Sequence, residues 1–267
     1  MKTMLIKVLL CGLPISLWAQ ATHVIEPAIL EVRYKVVYGK DKDEYALRCG
    51  KHTSQYINID KYVSDSMSNS PNGPDYDMER LRRMMDALEH RDDDSKRMPY
   101  SPGCGQYLYR NLTQGKITVY TSLFGDYCFY EEPIPQMDWH LVADSTRTIV
   151  GQQCLMAKTR FRGREWTVWY APEIGIPLGP WKLAGLPGLI LKAHCENYID
   201  LEANSLQAKG VPPVMFYNFY NHKYTLIARE KYLKASTDPK TYPPKTITAP
   251  SITHKGWTLP MMEAPPR

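Results

Sequence analysis

Residues 28–38 read AILEVRYKVVY. Large apolar side chains at Leu30, Val32, Tyr34 and Val36 alternate with polar ones at period two. Successive strand side chains point to opposite faces, so this spacing predicts a strand with one buried face. A polar turn at 39–43 returns the chain into EYALRCG at 44–50, and TSQYINI at 53–59 continues the pattern. Residues 28–59 therefore predict an antiparallel meander.

The same alternation recurs downstream. Strands are predicted at 106–111, 115–123, 126–131, 147–151, 152–161 and 164–171, then at 189–195, 198–206 and the aromatic run 215–220. Arg162-Gly163 suits a hairpin turn between two of them. Residues 64–74, rich in Ser, Asn, Pro and Gly, predict a loop. After it Met78, Leu81, Met84/Met85 and Leu88 recur at helical spacing, with Asp75 or Asp77 as the cap. A second helix is expected over 225–235. A long meander with a helix to cover one face resembles the half-barrel carriers of lipids and lipoproteins. The expected fold class is mainly β (α+β): a single strongly curved antiparallel sheet, half-barrel-like, with one or two covering helices. Residues 22–236 form the expected domain, and the proline-rich 237–267 an extended tail.

Residues 1–21 place two lysines before a short apolar run and small residues at Ala19 and Ala21, the pattern of a secretory signal peptide. No other segment has the ~18 apolar residues of a spanning helix. The expected location is therefore periplasmic or secreted. The formal net charge is +5 over 267 residues, and Lys2 and Lys7 in the leader carry two of those charges. A charge so small and so mixed argues against nucleic acid as a partner. Six cysteines include Cys11 in the leader. The remaining five suggest one or two disulfides, with buried free thiols as the alternative.

One stretch identifies a relationship. In GPWKLAGLPGLIL, at 179–191, Leu186-Pro187-Gly188-Leu189 predicts a type II turn that feeds a buried strand. The signature Gly185, Leu186, Pro187, Gly188, Leu189, Ile190, led by Gly179-Pro180, resembles that of the GLPGLI family, also called the Porph_ging family, of exported Bacteroidota proteins. Trp139, 149–151 and Cys154 resemble the family's segment before the signature, and Trp166 with 169–172 its W-x-x-W-Y segment. Trp181-Lys182-Leu183 departs from the family's usual aromatic or lysine-phenylalanine pair. The resemblance spans about residues 28–236, strongest at 139–192. It implies export and a shared fold, with no catalytic role to carry over. It also makes Ser66 (Asp65-Ser66-Met67) and Ser145 (Asp144-Ser145-Thr146) candidate O-glycosylation sites.

Catalytic signals are weak. The histidines are scattered, with no HExxH, GxSxG or P-loop, so no metal, cofactor or enzyme activity is expected. His140 and Cys154 form the one thinkable Cys–His pair, across a hairpin. His194 and Cys195 are adjacent and face opposite sides of a strand. The runs Glu131-Glu132 and Asp92–Asp94 read as solvated surface. Nineteen tyrosines suit either ordinary strand faces or binding surfaces. The reading that leads is an exported, non-catalytic envelope protein that binds an apolar ligand or lipid in a curved-sheet groove. Trp166, Trp169, Tyr170, Trp181 and Leu183 are the candidate residues near its opening, and Met78, Met84 and Met85 are either a lid or core. The alternative is an interaction factor for outer-membrane transport or envelope assembly, docking an outer-membrane or periplasmic protein.

Overall fold

The Ala28–Tyr38 run is a strand of eleven residues lying in the middle of a large sheet. The computed structural model describes residues 21–39, 41–90, 106–123 and 125–237. Residues 1–20 of the expected leader, Asp92–Asp94, Cys104 and the expected tail from residue 238 lie outside the described residues.

In chain order the elements are β1 (His23–Glu26), β2 (Ala28–Tyr38), β3 (Asp41–Gly50), β4 (Thr53–Asn58), α1 (Ile59–Ser68), α2 (Gly73–Glu89), β5 (Tyr107–Asn111), β6 (Lys116–Leu123) and β7 (Asp126–Pro133). Then come β8 (His140–Ile149), β9 (Gln152–Phe161), β10 (Arg164–Ala171), β11 (Leu189–Cys195), β12 (Ile199–Gln207), β13 (Val214–Phe216), β14 (Thr225–Leu226) and α3 (Arg229–Thr237). Twelve strands form one sheet in the order β14-β7-β6-β5-β4-β3-β2-β12-β11-β10-β9-β8. Every pairing in it is antiparallel except β14 with β7. β1 and β13 pair separately.

This sheet cannot be flat. β7 and β10 stand eight strand spacings apart, or about 38 Å along a flat sheet at ~4.8 Å per strand. Yet Arg162, in the turn between β9 and β10, meets Glu132 of β7 at 2.5 Å. The sheet therefore curls until its two flanks nearly touch, while β8 and β14 remain open edges. The expected half-barrel-like antiparallel sheet is the observed one, with three helices among the described residues rather than one or two.

The inner face holds the alternate residues that the 28–38 pattern marks. Leu30, Val32, Tyr34 and Val36 join Leu47, Cys49, Leu108, Val119, Tyr130, Trp166, Val168 and Leu191 in one buried cluster. A smaller cluster of Ala46, Ile57, Tyr107, Tyr109, Phe216 and Tyr217 lies on the outer face. There Arg48 donates to Glu31 and to the Tyr217 hydroxyl, both at 2.6 Å.

Several boundaries differ from expectation. The 64–74 loop is mostly helix: α1 begins where the Asn58 side chain accepts from the Lys61 amide at 2.8 Å, a good N-cap. Neither Asp75 nor Asp77 caps α2, whose N-cap is Asn72; Asp77 instead accepts from Ser68 at 2.5 Å. β8 begins at His140, not 147. The aromatic run yields only the short β13, and the second helix starts at Arg229 after the strand pair at 225–226. The Arg162-Gly163 turn is as expected, with φ of 53° and 74°, the left-handed pair a tight hairpin demands.

The disulfide expectation fails among the described residues. Cys49, Cys128, Cys154 and Cys195 are buried free thiols. They sit on β3, β7, β9 and β11, no two of which are sheet neighbours. Strands two places apart lie ~9.6 Å from each other, beyond the ~7 Å Cα limit for a bridge.

Candidate functional site

The family-like signature proves to be the filling of the curl. Residues 172–188 leave β10, cross the inner face and return into β11. Trp181, Lys182, Leu183 and Leu186 are buried there. Two glycines allow it. A Cβ on Gly179 would lie 2.7 Å from Ile190 Cβ, and one on Gly188 would lie 2.3 Å from the Ala171 carbonyl oxygen. Gly188 N donates to Leu186 O at 2.8 Å, a three-residue turn about Pro187 where the sequence predicted a four-residue type II turn. Gly185 has φ of 94°, and Trp139 Nε1 donates to the neighbouring Ala184 O at 3.0 Å. Leu183 N donates to Pro180 O at 3.1 Å, and Ile190 N to Leu178 O at 2.9 Å. Leu189 and Ile190 then continue as core.

Buried charges fasten this segment. Arg110 of β5 is fully buried and donates to the carbonyls of Gly179, at 3.1 Å, and Trp181. Burial lowers its guanidinium to about 10. Lys182, also fully buried, pairs with Glu132 and donates to the Tyr130 hydroxyl at 3.2 Å. Glu132 meets Arg162 and, at 3.2 Å, Arg229 of α3 as well. One carboxylate thus ties β7, the filling segment, the β9–β10 turn and α3 together. Glu132 is consequently no solvated surface residue, whereas Glu131 beside it faces out to Lys116 at 2.8 Å.

The proposed ligand residues fall into this interior. Trp166, Tyr170, Trp181 and Leu183 are at most 3% exposed. Two of them stack, with Trp166 and Trp181 centroids 5.9 Å apart, and Phe161 packs on Trp181 at 5.5 Å. The structure brings these four together as packing, not around an opening. Trp169 points to the other face, between Arg147 and Lys192.

The catalytic candidates do not assemble. Across β8 and β9, His140 faces Lys158 while Cys154 faces Arg147, so four residues, about 13 Å, separate them along the strand. Burial also pushes the Cys154 thiol up to about 11, away from a nucleophilic thiolate. His194 is half-exposed and Cys195 buried, on opposite faces. Among the described residues no three His, Cys, Asp or Glu side chains form a metal cluster. Ser66 is half-buried in α1, and Ser145 lies in the bulged stretch of β8.

Two features face outward. The first is α2, whose stripe of Met78, Leu81, Met85 and Leu88 is 39–67% exposed; it is neither core nor a lid over the filled interior. The second is a recess of about 60 Å³ between α1, β5–β7 and the 217–224 loop. Tyr107, Tyr120, Tyr127, Tyr220, His222 and Tyr224 line it with Lys61 and Asp65. Asp65 Oδ2 accepts from Lys61 Nζ and from the Tyr107 hydroxyl, both at 2.6 Å. Tyr127 stacks on His222 with centroids 3.4 Å apart. Burial lowers the His222 pKa, keeping the ring neutral near pH 7. Asn218 closes the loop, donating to His222 O at 3.0 Å and accepting from His222 N at 2.9 Å. Sequence reading passed this site by, although FYNFYNHKY at 216–224 gathers five aromatic residues and a histidine in nine positions.

A curled antiparallel sheet filled by its own loop is thus the class that fold and site define. Neither protein families nor curated proteins give a match to the sequence. Among solved structures, PNGF-II in space group P21 is similar, with a TM-score of 0.52 at 12% identity over 80% of this chain and 33% of that one. The chain therefore spans about a third of PNGF-II's length and shares a fold with that part. MucB is a weaker likeness, at 9% identity and TM-score 0.33 over 69% of this chain and 55% of MucB, and it carries no argument. Among the described residues no helix is long and apolar enough to cross a membrane.

Proposed function

We propose that the protein is an exported, non-catalytic binding protein of the cell envelope, and that it docks a partner protein on the apolar stripe of α2. The observation that carries this reading is the exposure of Met78 at 67% and Met85 at 51%, with Leu81 and Leu88 in register. Positions i, i+3, i+7 and i+10 form the stripe by which a helix enters a partner's groove. Methionine suits such a surface because its flexible thioether adapts to the partner's shape. The leader pattern at 1–21 and the likeness of 139–192 to the GLPGLI family support membership of that family and export. The interior favours partner docking over carriage of a lipid, because Trp181, Leu183 and Leu186 occupy the face where an acyl chain would lie.

Photo-crosslinking amino acids at positions 78 and 85, introduced one at a time in the native host, test this. The expected result is one envelope protein captured from both positions and not from exposed Leu141 on β8. Lipid bound to the protein in native mass spectra, without any protein cross-link at 78 or 85, would overturn it in favour of the carrier role.

A further inference from the structure

We propose that the recess between α1, β5–β7 and the 217–224 loop is a saccharide-binding subsite, in which a pyranose lies on the Tyr127 and Tyr220 rings and directs hydroxyls to Asp65 and His222. The site is independent of the α2 stripe.

The argument starts from what the recess leaves unused. Both internal donors to Asp65 fall on Oδ2, and among the described residues no hydrogen bond falls on Oδ1. The Asp65 side chain is 18% exposed, so this acceptor is held at the wall of the recess, in reach of a ligand. His222 uses its backbone to close the loop with Asn218, while neither ring nitrogen has a hydrogen-bond partner among the described residues. Its neutral ring offers one donor and one acceptor. A charged acceptor and an uncharged donor–acceptor in one recess match vicinal hydroxyls, each of which gives and takes a hydrogen bond.

The apolar side of the match comes from the rings. Tyr127 and Tyr220 are 38% and 46% exposed, and His222 joins them, stacked on Tyr127 and 5.3 Å from Tyr220. Behind them Tyr120 and Tyr224 meet edge-on at 4.9 Å and hold the ledge in place. Such a ledge receives the flat C–H face of a sugar, which is apolar while the ring's edge is polar. An acyl chain would gain nothing from Asp65, and the Lys61–Asp65 ion pair leaves the recess no net positive charge with which to hold an anionic ligand. At about 60 Å³ the recess is far smaller than the ~300 Å³ of an enclosing ligand pocket. It suits one exocyclic substituent, with the pyranose resting outside on the rings.

Saturation-transfer NMR on the purified protein tests the subsite, with methyl β-glycosides of glucose, galactose and N-acetylglucosamine and methyl α-mannoside as probes. The expected result is transfer to the ring C–H protons of at least one probe. Tyr127→Ala should abolish it, and Asp65→Asn should weaken that probe's affinity about tenfold or more, as loss of a charged hydrogen bond does. Both variants are first checked for wild-type circular dichroism. If Asp65→Asn does not fold, Tyr220→Ala takes its place, with the same loss expected. The proposal is overturned if no probe shows transfer, or if transfer survives both folded variants. It is equally overturned if an unfolded carrier such as reduced, carboxymethylated lactalbumin perturbs the Tyr127 ring signals while all four sugars leave them unchanged.

Discussion

Inside the curl and outside it, the same residue types do opposite work. Trp181, Lys182 and Tyr130 inside are buried, and each spends its polar or aromatic character on a neighbour in the same chain. Tyr127, Lys61, Asp65 and Tyr220 outside are partly exposed, with hydrogen-bonding capacity left over. Aromatic content alone therefore does not locate a binding surface. What separates the two regions is whether the chain covers itself. Residues 172–188 close the inner face, and nothing comparable among the described residues closes α2.

The largest expected effect breaks the interior. Glu132→Ala would leave Lys182 as a buried cation without its carboxylate. Removing one member of a buried pair costs about 3–5 kcal/mol, read as a fall in urea-unfolding free energy. Adding Lys182→Met should recover part of the loss, because an apolar residue of similar length needs no counter-charge there, while Arg162 and Arg229 still lose Glu132. A loss under about 1 kcal/mol in the single variant would mean that water or another carboxylate already serves Lys182, and the interior would not be the closed region described. Next in size is Gly188→Ala. Its new Cβ would press on the Ala171 carbonyl at 2.3 Å, which backbone must relieve by moving. Overpacking of this kind costs about 1–3 kcal/mol. Alanine at Gly151, where nothing lies within 4 Å, controls for crowding, since both glycines have positive φ.

These two variants also mark where the sequence was legible. Period-two alternation located β2, β9 and β10 because one face of each is largely buried, and burial is what alternation records. β11, buried on nearly every residue, was legible instead as an apolar run after a turn. Alternation was silent about curvature. The contact between Arg162 and Glu132 spans thirty residues and depends on how eight strand spacings bend, which no local pattern encodes. α1 was hidden for a different reason: Ser64, Ser66, Ser68 and Asn69 carry turn propensity, while Tyr62 supplies the contact that overrides it by packing on Tyr217 at 4.8 Å. The signature glycines were legible as turn residues. The close approaches that require Gly179 and Gly188 were not, because their neighbours Ile190 and Ala171 come from other turns of the chain.

A smaller effect probes the mouth of the interior. Asp43 lies on the inner side of β3 and accepts from the Tyr38 hydroxyl at 2.9 Å. Burial, helped by the nearby Asp60 and Asp41, raises its pKa to about 6. The folded value exceeds the ~3.9 of the unfolded chain, so the folded state binds this proton more tightly. Its contribution is full below about pH 4 and is lost as pH rises through about 6. Asp43→Asn should therefore stabilise the protein at pH 7, by about 1 kcal/mol after allowing for solvent screening, and the advantage over wild type should vanish at pH 4. An equal difference at both pH values would show that Asp43 is not the titrating group.

The smallest effect belongs to the open side and tests the comparison itself. Met78 is 67% exposed on a helix whose apolar stripe belongs to neither apolar cluster among the described residues. Met78→Glu should then change the unfolding free energy by no more than about 0.5 kcal/mol, as a substitution on free surface does. The new carboxylate follows Asp75 by three residues and precedes Arg82 by four, so local charge terms are small and partly cancel. Partner capture through position 85 should nonetheless fall sharply, because a charge placed in an apolar docking stripe must be desolvated on binding. A stability loss above about 1 kcal/mol would show that the chain packs on its own stripe. α2 would then belong with the interior, and the saccharide recess would be the one outward-facing candidate left.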